Sequence, residues 1–307
     1  WEVVNVNIQA ADGTILREVP SRRFHSSCTV NENCFYLIGG DNGSTFFSDV
    51  WMYEKTTKMW TQIPERDMDN IGFAKKKSDS FHLSLISQSS SFKNGNASSS
   101  GSESSLYTIN PTSFTGRSGH SCIHYDDSLW VFGGKRFNSY LSDIMRFDLY
   151  SCSWFHIPLQ KIVRARAAHR AVVHEGIMYV FGGVTNSQGI QRQDENSLDY
   201  LDSLLMFDLK ELCWKKPNTK GSPPKARAGH AMTIGSDGKI FIWGGRNGTS
   251  IHTDFFIFDT KTFTWSQIRR VNHPKARAGH SFNYIYGATR KYIILFGGVD
   301  WKNYFSD

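Results

Sequence analysis

Hydrophobic positions in this chain fall in short bursts that alternate with polar ones, as in HSCIHY, DIMRFD and DFFIFD, and turn-forming residues return about every ten positions. A period of two places one set of side chains on a buried face, so each burst reads as a short strand of an all-β fold. No stretch carries the 3.6-residue period of a helix. Five bursts close on the same pair of residues: FYLIGG, LWVFGG, MYVFGG, IFIWGG and IILFGG, with the glycines at Gly39-Gly40, Gly133-Gly134, Gly182-Gly183, Gly244-Gly245 and Gly297-Gly298. Each pair is expected to end a strand where neighbouring backbones come close.

Fixed offsets organise the rest. An aspartate stands nine positions after the second glycine in four copies, at Asp49, Asp143, Asp254 and Asp307, while in the fifth Asp202 comes ten positions later than that spacing. Eleven residues beyond three of these aspartates lie Trp60, Trp154 and Trp265, and Trp214 follows Asp202 by twelve. Upstream of each glycine pair is an R-x-x-H element, as in KARAGH. The repeating unit therefore reads as four strands: one opening at R-x-x-H, one ending in Gly-Gly, one following Asp, and an outer one beginning at Trp. A four-stranded unit repeated radially is a propeller blade.

In these residues the chain resembles the kelch-repeat family, whose blades carry Gly-Gly after the second strand, spaced aromatics and a Trp. The resemblance covers nearly the whole chain except Arg66 to Gly116, and it implies an all-β, kelch-type β-propeller with five recognisable repeats and an expected six blades. It also implies that residues 1–307 form a single propeller domain. The Trp is expected to pack its large face against the adjacent blade.

Two stretches break the pattern. Residues 67–116 hold either a degenerate blade or an insertion. FHLSLIS echoes FHSSCTV there, and LYTINPTSFTG echoes FFIFDTKTFTW, with Asn110 in the Asp259 position and Gly116 in the Trp265 position. Between the echoes lies a tract with ten serines in nineteen residues, too polar to bury. The segment after Gly183 reads as a long loop. The opening WEVV matches the fourth-strand starts WTQI and WSQI, which suggests that the first strand completes the last blade. The chain starts without Met and is expected to be a piece of a longer protein.

Candidate chemistry centres on the repeated arginines. Arg22, Arg117, Arg166, Arg227 and Arg277 stand at the entry of the innermost strands, so radial repetition gathers them around one mouth. The resemblance implies that this is the face where kelch domains of ubiquitin-ligase adaptors read acidic peptides or chain ends, with help from the loops after Gly-Gly. Transferred here, those loops contribute Asp41, Asn42, Lys135, Arg136, Arg246, Asn247, Asp300 and Trp301. Guanidinium forks bind carboxylates bidentately. The competing reading gives the repeated Arg and His an architectural role, because identity in every repeat is what structure requires. Lys135, Arg136, Arg246 and Trp301 break the symmetry and are the better candidates for specific contacts.

The remaining composition narrows the class. A net charge of +7, from 35 Lys and Arg against 28 Asp and Glu, suits acidic partners in general, and the lack of a long basic stripe argues against nucleic acid. No apolar run is long enough to span a bilayer. Five cysteines without a C-x-x-C pair read as buried free thiols of a reducing compartment, which places the chain in the cytoplasm or nucleus. N-x-[ST] triplets at Asn42, Asn96 and Asn247 are the opposing hint of secretion, and in so polar a chain they read as chance. No nucleophile elbow or phosphate loop is present, and His120 with His124, four apart on one strand face, is only a weak metal pair, so neither a catalytic set nor a cofactor is expected. The leading expectation is a module binding a protein or peptide, as a ubiquitin-ligase substrate adaptor or a signalling scaffold. The alternative is a regulatory or structural propeller attached to an enzyme such as a phosphatase or methyltransferase.

Overall fold

The computed structural model describes residues 7–16, 18–64, 112–187, 198–269, 273–286 and 290–307, and every regular element in them is a β-strand. After β1 (Asn7–Gln9) and β2 (Ile15–Leu16), blade 1 runs β3 (Ser26–Thr29), β4 (Cys34–Ile38), β5 (Val50–Glu54), β6 (Met59–Ile63). Blade 2 contains β7 (Ser121–Tyr125), β8 (Ser128–Phe132), a small ribbon β9 (Lys135–Arg136) and β10 (Ser139–Tyr140), then β11 (Ile144–Asp148) and β12 (Ser153–His156). Blade 3 repeats this with β13 (Arg170–His174), β14 (Ile177–Phe181), the ribbon β15 (Val184–Asn186) and β16 (Leu198–Tyr200), β17 (Leu204–Asp208) and β18 (Cys213–Lys215). Blade 4 is β19 (Ala231–Ile234), β20 (Lys239–Trp243), β21 (Phe255–Asp259), β22 (Thr264–Ile268), and blade 5 supplies β23 (Ser281–Tyr286) and β24 (Lys291–Phe296).

Within a blade the strands pair antiparallel in chain order, innermost to outermost. The innermost strands β3, β7, β13, β19 and β23 stand side by side in that sequence, which is the kelch β-propeller arrangement. The core lies between the sheets. Trp154, 1% exposed, stacks on Phe114 at 4.2 Å and packs with Ile38 and Val50 of blade 1. Trp265 meets Phe181 of blade 3 at 5.5 Å, and Trp214 meets Phe132 of blade 2 at 5.0 Å. Trp154, Trp214 and Trp265 thus close the seam with the preceding blade, a burial worth roughly 2–3 kcal/mol each, whereas Trp60 packs on Phe35 and Tyr53 of its own blade.

The glycine pairs have two distinct neighbours. A Cβ on Gly182 would stand 2.6 Å from the Arg227 carbonyl oxygen of the next blade, and one on Gly183 would stand 3.0 Å from the Ala167 carbonyl oxygen of its own blade. Both residues also have positive φ, 67° and 103°, so the turn needs glycine for conformation as well as clearance.

Four details differ from the pattern read in the sequence. Ser203, not Asp202, takes the aspartate position of blade 3: Gly182 N–H bonds Ser203 O, as Gly133 N–H bonds Asp143 O, and Leu204 pairs with Phe181 as Ile144 pairs with Phe132. Gly116 does not occupy an outer-strand tryptophan position. Residues 112–116 are the lead-in to Arg117, where Thr112 N–H bonds Trp154 O and Gly116 lies against the Phe46 backbone. Blades 1 and 2 are direct neighbours through β3 and β7; residues 65–111, with the serine tract and the echo strands, lie outside the described residues. The five cysteines are free but half-buried, not buried, and Cys152 sits in the turn before β12, at φ 54°.

At the N-terminus, Trp1 to Val4, the stretch expected to complete the last blade, lie outside the described residues; β1, which follows them, runs parallel to β6 of blade 1. The same parallel placement recurs in blade 4 at Lys220 beside Thr264. It is therefore the general path by which a lead-in reaches its arginine.

Candidate functional site

Four repeated arginines share one set of partners. Arg117 Nε donates to the Thr115 carbonyl at 3.1 Å, Nη1 donates to the Gly133 carbonyl at 3.1 Å and to Asp143 Oδ1 at 2.7 Å, and Nη2 donates to Asp143 Oδ2 at 2.9 Å. The same bidentate fork joins Arg22 to Asp49, Arg227 to Asp254 and Arg277 to Asp307. These arginines are almost wholly buried. A backbone donor cannot serve a strand carbonyl and a carboxylate together, and the five N–H groups of a guanidinium can. The Arg and Asp at fixed spacing thus staple the strand entry to the exit of the Gly-Gly loop within one blade.

Blade 3 is the exception. Arg166 keeps the Gly182 carbonyl at 2.9 Å and the Arg164 carbonyl at 3.3 Å, but Nη2 donates only to Ser203 Oγ at 3.1 Å. Its pKa is pulled down to about 10, by burial first and then by the charge of Arg164. Arg164 pairs with Asp199, which also accepts from Ser187 Oγ.

The turns that carry these arginines meet around a common mouth. Gly119 N–H donates to Phe24 O, Ala168 N–H to Gly119 O, Gly229 N–H to Ala168 O and Gly279 N–H to Gly229 O, all at 2.7–2.8 Å. Every residue in this relay is left-handed, and two are not glycine: Phe24 at φ 52° and Ala168 at φ 54°. Phe24 turns its ring outward, 59% exposed. The repeat histidines lie beneath. Burial holds His120 and His280 down to about 3 and His169 and His230 well below the usual range, with neighbouring arginines adding to the effect. They are neutral spacers that join blades, as in the 2.9 Å contact between His169 Nε2 and Ser121 Oγ.

Sequence reasoning passed over Arg170. It opens the innermost strand of blade 3, where the other blades have Ser26, Ser121, Ala231 and Ser281. Its charge bears on His25, His169, His230 and His280, rings from four blades, which puts the guanidinium toward the axis. The signal was available, since one Arg stands among four small residues just after the repeat histidine.

The loops after Gly-Gly form a continuous rim on the same side. Phe46 of blade 1 meets Phe137 of blade 2 at 5.1 Å, Asn186 Nδ2 of blade 3 donates to Asn138 O of blade 2, and Arg246 of blade 4 lies 5.6 Å from the Trp301 ring of blade 5. Further cation and aromatic pairs line it: Arg23 with Phe24, Arg136 with Phe137, and Lys135 with Tyr140. Two acids of these loops are engaged within their own turns. Asp41 accepts from Arg23 Nε and Gly43 N–H, and Asp300 accepts from the Lys302 and Asn303 amides, which lower its pKa. Asn42 and Asn247 play the same turn role, each accepting two backbone N–H bonds, which accounts for their N-G-[ST] triplets as turn chemistry.

The structure therefore separates the sequence candidates. Arg22, Arg117, Arg166, Arg227 and Arg277 are drawn around the mouth yet buried. Arg136, Arg246 and Trp301 are exposed on the rim, and Lys135, Asn247 and Asp300 are half-buried there. Arg23, Phe24 and Phe137 were missed, because each looks like filler between motif residues. Among the described residues no group of three His, Cys, Asp or Glu side chains converges as a metal set.

Comparison with known proteins agrees with this geometry. The KLHDC2/KLHL20/DRC7 Kelch-repeats domain matches residues 98–298, and the kelch motif matches residues 22–66. Acyl-CoA-binding domain-containing protein 5 of Arabidopsis thaliana is 22% identical over 85% of the chain. The Rab9 effector protein with kelch motifs of Xenopus laevis is 28% identical over 62%, and leucine-zipper-like transcriptional regulator 1 of Pongo abelii is 30% identical over 60%. The chain spans 34%, 52% and 28% of the lengths of these three relatives. With Gly-Gly turns, Arg–Asp staples and seam tryptophans repeated blade after blade, the chain belongs to the kelch-repeat family, whose domains generally mediate protein–protein interaction.

Proposed function

We propose that the loop rim binds a protein or peptide partner bearing acidic side chains or a free carboxylate, in the manner of a ubiquitin-ligase substrate adaptor or a signalling scaffold of the cytoplasm or nucleus. One observation carries the reading: four cation and aromatic pairs stand along one contiguous rim while Asp41 and Asp300 beside them are engaged within their own loops. Arginine and aromatic side chains supply large contact area with directional bonds, and they dominate the energy of interfaces. A surface of cations paired with aromatic rings favours acidic peptide over nucleic acid, since among the described residues no basic stripe continues beyond the rim. The chain carries no catalytic role in this reading.

The test is binding of a library of chain-end and acidic internal peptides to the wild-type chain and to Arg136→Ala, Arg246→Ala and Trp301→Ala. Affinity is expected to fall about tenfold or more for at least one rim variant, and to weaken with salt. Peptides that bind all three variants as tightly as wild type would remove the rim from the interface.

A further inference from the structure

We infer that blade 3 holds a carboxylate-binding slot formed by Arg166 and Ser203. The repeat itself supplies the comparison. In blades 1, 2 and 4 an aspartate one residue before the third strand receives both Nη atoms of the buried arginine, and in blade 5 Asp307 does the same. In blade 3 the register puts Ser203 there, and Ser ends one carboxylate short of Asp. Arg166 Nη1, which elsewhere bonds both a carbonyl and a carboxylate, retains only the Gly182 carbonyl, and Nη2 retains a hydroxyl.

Among the described residues no neighbouring acid makes up the loss. Asp202, adjacent in sequence, is exposed, and Asp199 is engaged by Arg164 and Ser187. Among the described residues the charge bearing on Arg166 is that of Arg164, of the same sign. A guanidinium 1% exposed without a carboxylate is costly, and a bidentate anion is the group that relieves it. Solvent reaches the equivalent position elsewhere, where the aspartates keep 16–24% of their side-chain surface in blades 1, 2 and 4, and Ser203 itself is half-buried, not enclosed. The slot takes a planar carboxylate, with the Ser203 hydroxyl turned to donate a further bond. As the docking point for a partner's acidic side chain or chain end it rests on the reading proposed above; as a slot it is defined by acetate alone.

Thermal melts in acetate against chloride at equal ionic strength test it, using the wild-type chain, Ser203→Asp and Asp143→Ser. Ser203→Asp is expected to melt about 2–4 °C higher than wild type in chloride and to lose the extra stabilisation that acetate gives the wild-type chain. Asp143→Ser, which opens a second slot, is expected to melt lower and gain more from acetate than wild type. A Ser203→Asp chain that melts lower than wild type, or an acetate increment equal in all three chains, overturns the inference. Failure of the peptide library with this acetate pattern intact would count against the partner reading and leave the slot standing.

Discussion

Arg117 and Asp143 form a two-bond fork at 2.7 and 2.9 Å in which the cation is 2% exposed and the acid 24%. Such asymmetry makes the acid the half that can be removed without opening the core, and its loss strands a buried positive charge. Asp143→Ala is expected to destabilise the chain by about 3 kcal/mol, the usual consequence of removing one partner from a buried pair. Urea unfolding of the variant checks it; a loss within the range of ordinary surface substitutions would mean that water reaches Arg117.

Two glycines separate conformation from clearance. Gly182→Ala meets the Arg227 carbonyl oxygen at 2.6 Å and the His230 ring at 2.8 Å, whereas Gly279→Ala meets nothing within 4 Å although its φ is 70°. The second should cost only the left-handed penalty, about 1–2 kcal/mol. The first should cost clearly more, because backbone of the next blade has to move. Equal melting temperatures for the two variants would refute the seam described here.

The repeat histidines set the acid limit of the fold. His120 and His280 have folded pKa values of about 3 against an ordinary 6.5, so between those values the unfolded chain binds the protons that the native chain refuses. Stability is therefore full above pH 6.5 and falls as pH drops toward 3, by about 1 kcal/mol per pH unit for each such histidine. Denaturant midpoints measured from pH 7 down to pH 4 should decline in this sense, and a His120→Gln chain should decline less steeply.

Phe24 holds a left-handed conformation that three other blades give to glycine, at Gly119, Gly229 and Gly279. Strain kept at an exposed aromatic points to use of the ring. Phe24→Gly is expected to raise stability by roughly 1 kcal/mol while weakening peptide binding. A variant that is less stable than wild type would assign the ring to packing.

Much of this architecture was legible because the repeat constrains it. Gly-Gly, Asp and Trp at constant offsets mark positions where the backbone turns, where a buried arginine needs a carboxylate, and where a seam needs a large ring. The misplacement at Asp202 shows what such reading misses: an acid was sought, and the structural position belonged to a serine. Counting back eleven residues from Trp214 lands on Ser203, so spacing held where residue identity did not. The echo at Gly116 failed for a related reason, since a lead-in and an outer strand lie side by side and carry similar residues. Exposure was the less readable part. Arg227 and Arg246 are equally basic in the sequence, and only three-dimensional closure around Asp254 decides that the first is internal and the second available.

Blade 3 adds three departures from symmetry of its own: Arg170 toward the axis, Arg166 without its acid, and the longest loop beyond Gly-Gly. A ligand lowered onto a ring of near-identical sectors faces a choice among equivalent rotational settings, each with similar contacts. One sector carrying charges that the others lack lifts that degeneracy, so the propeller has an azimuth as well as an axis, and a visitor can be held in a single orientation by a fold built almost entirely from copies.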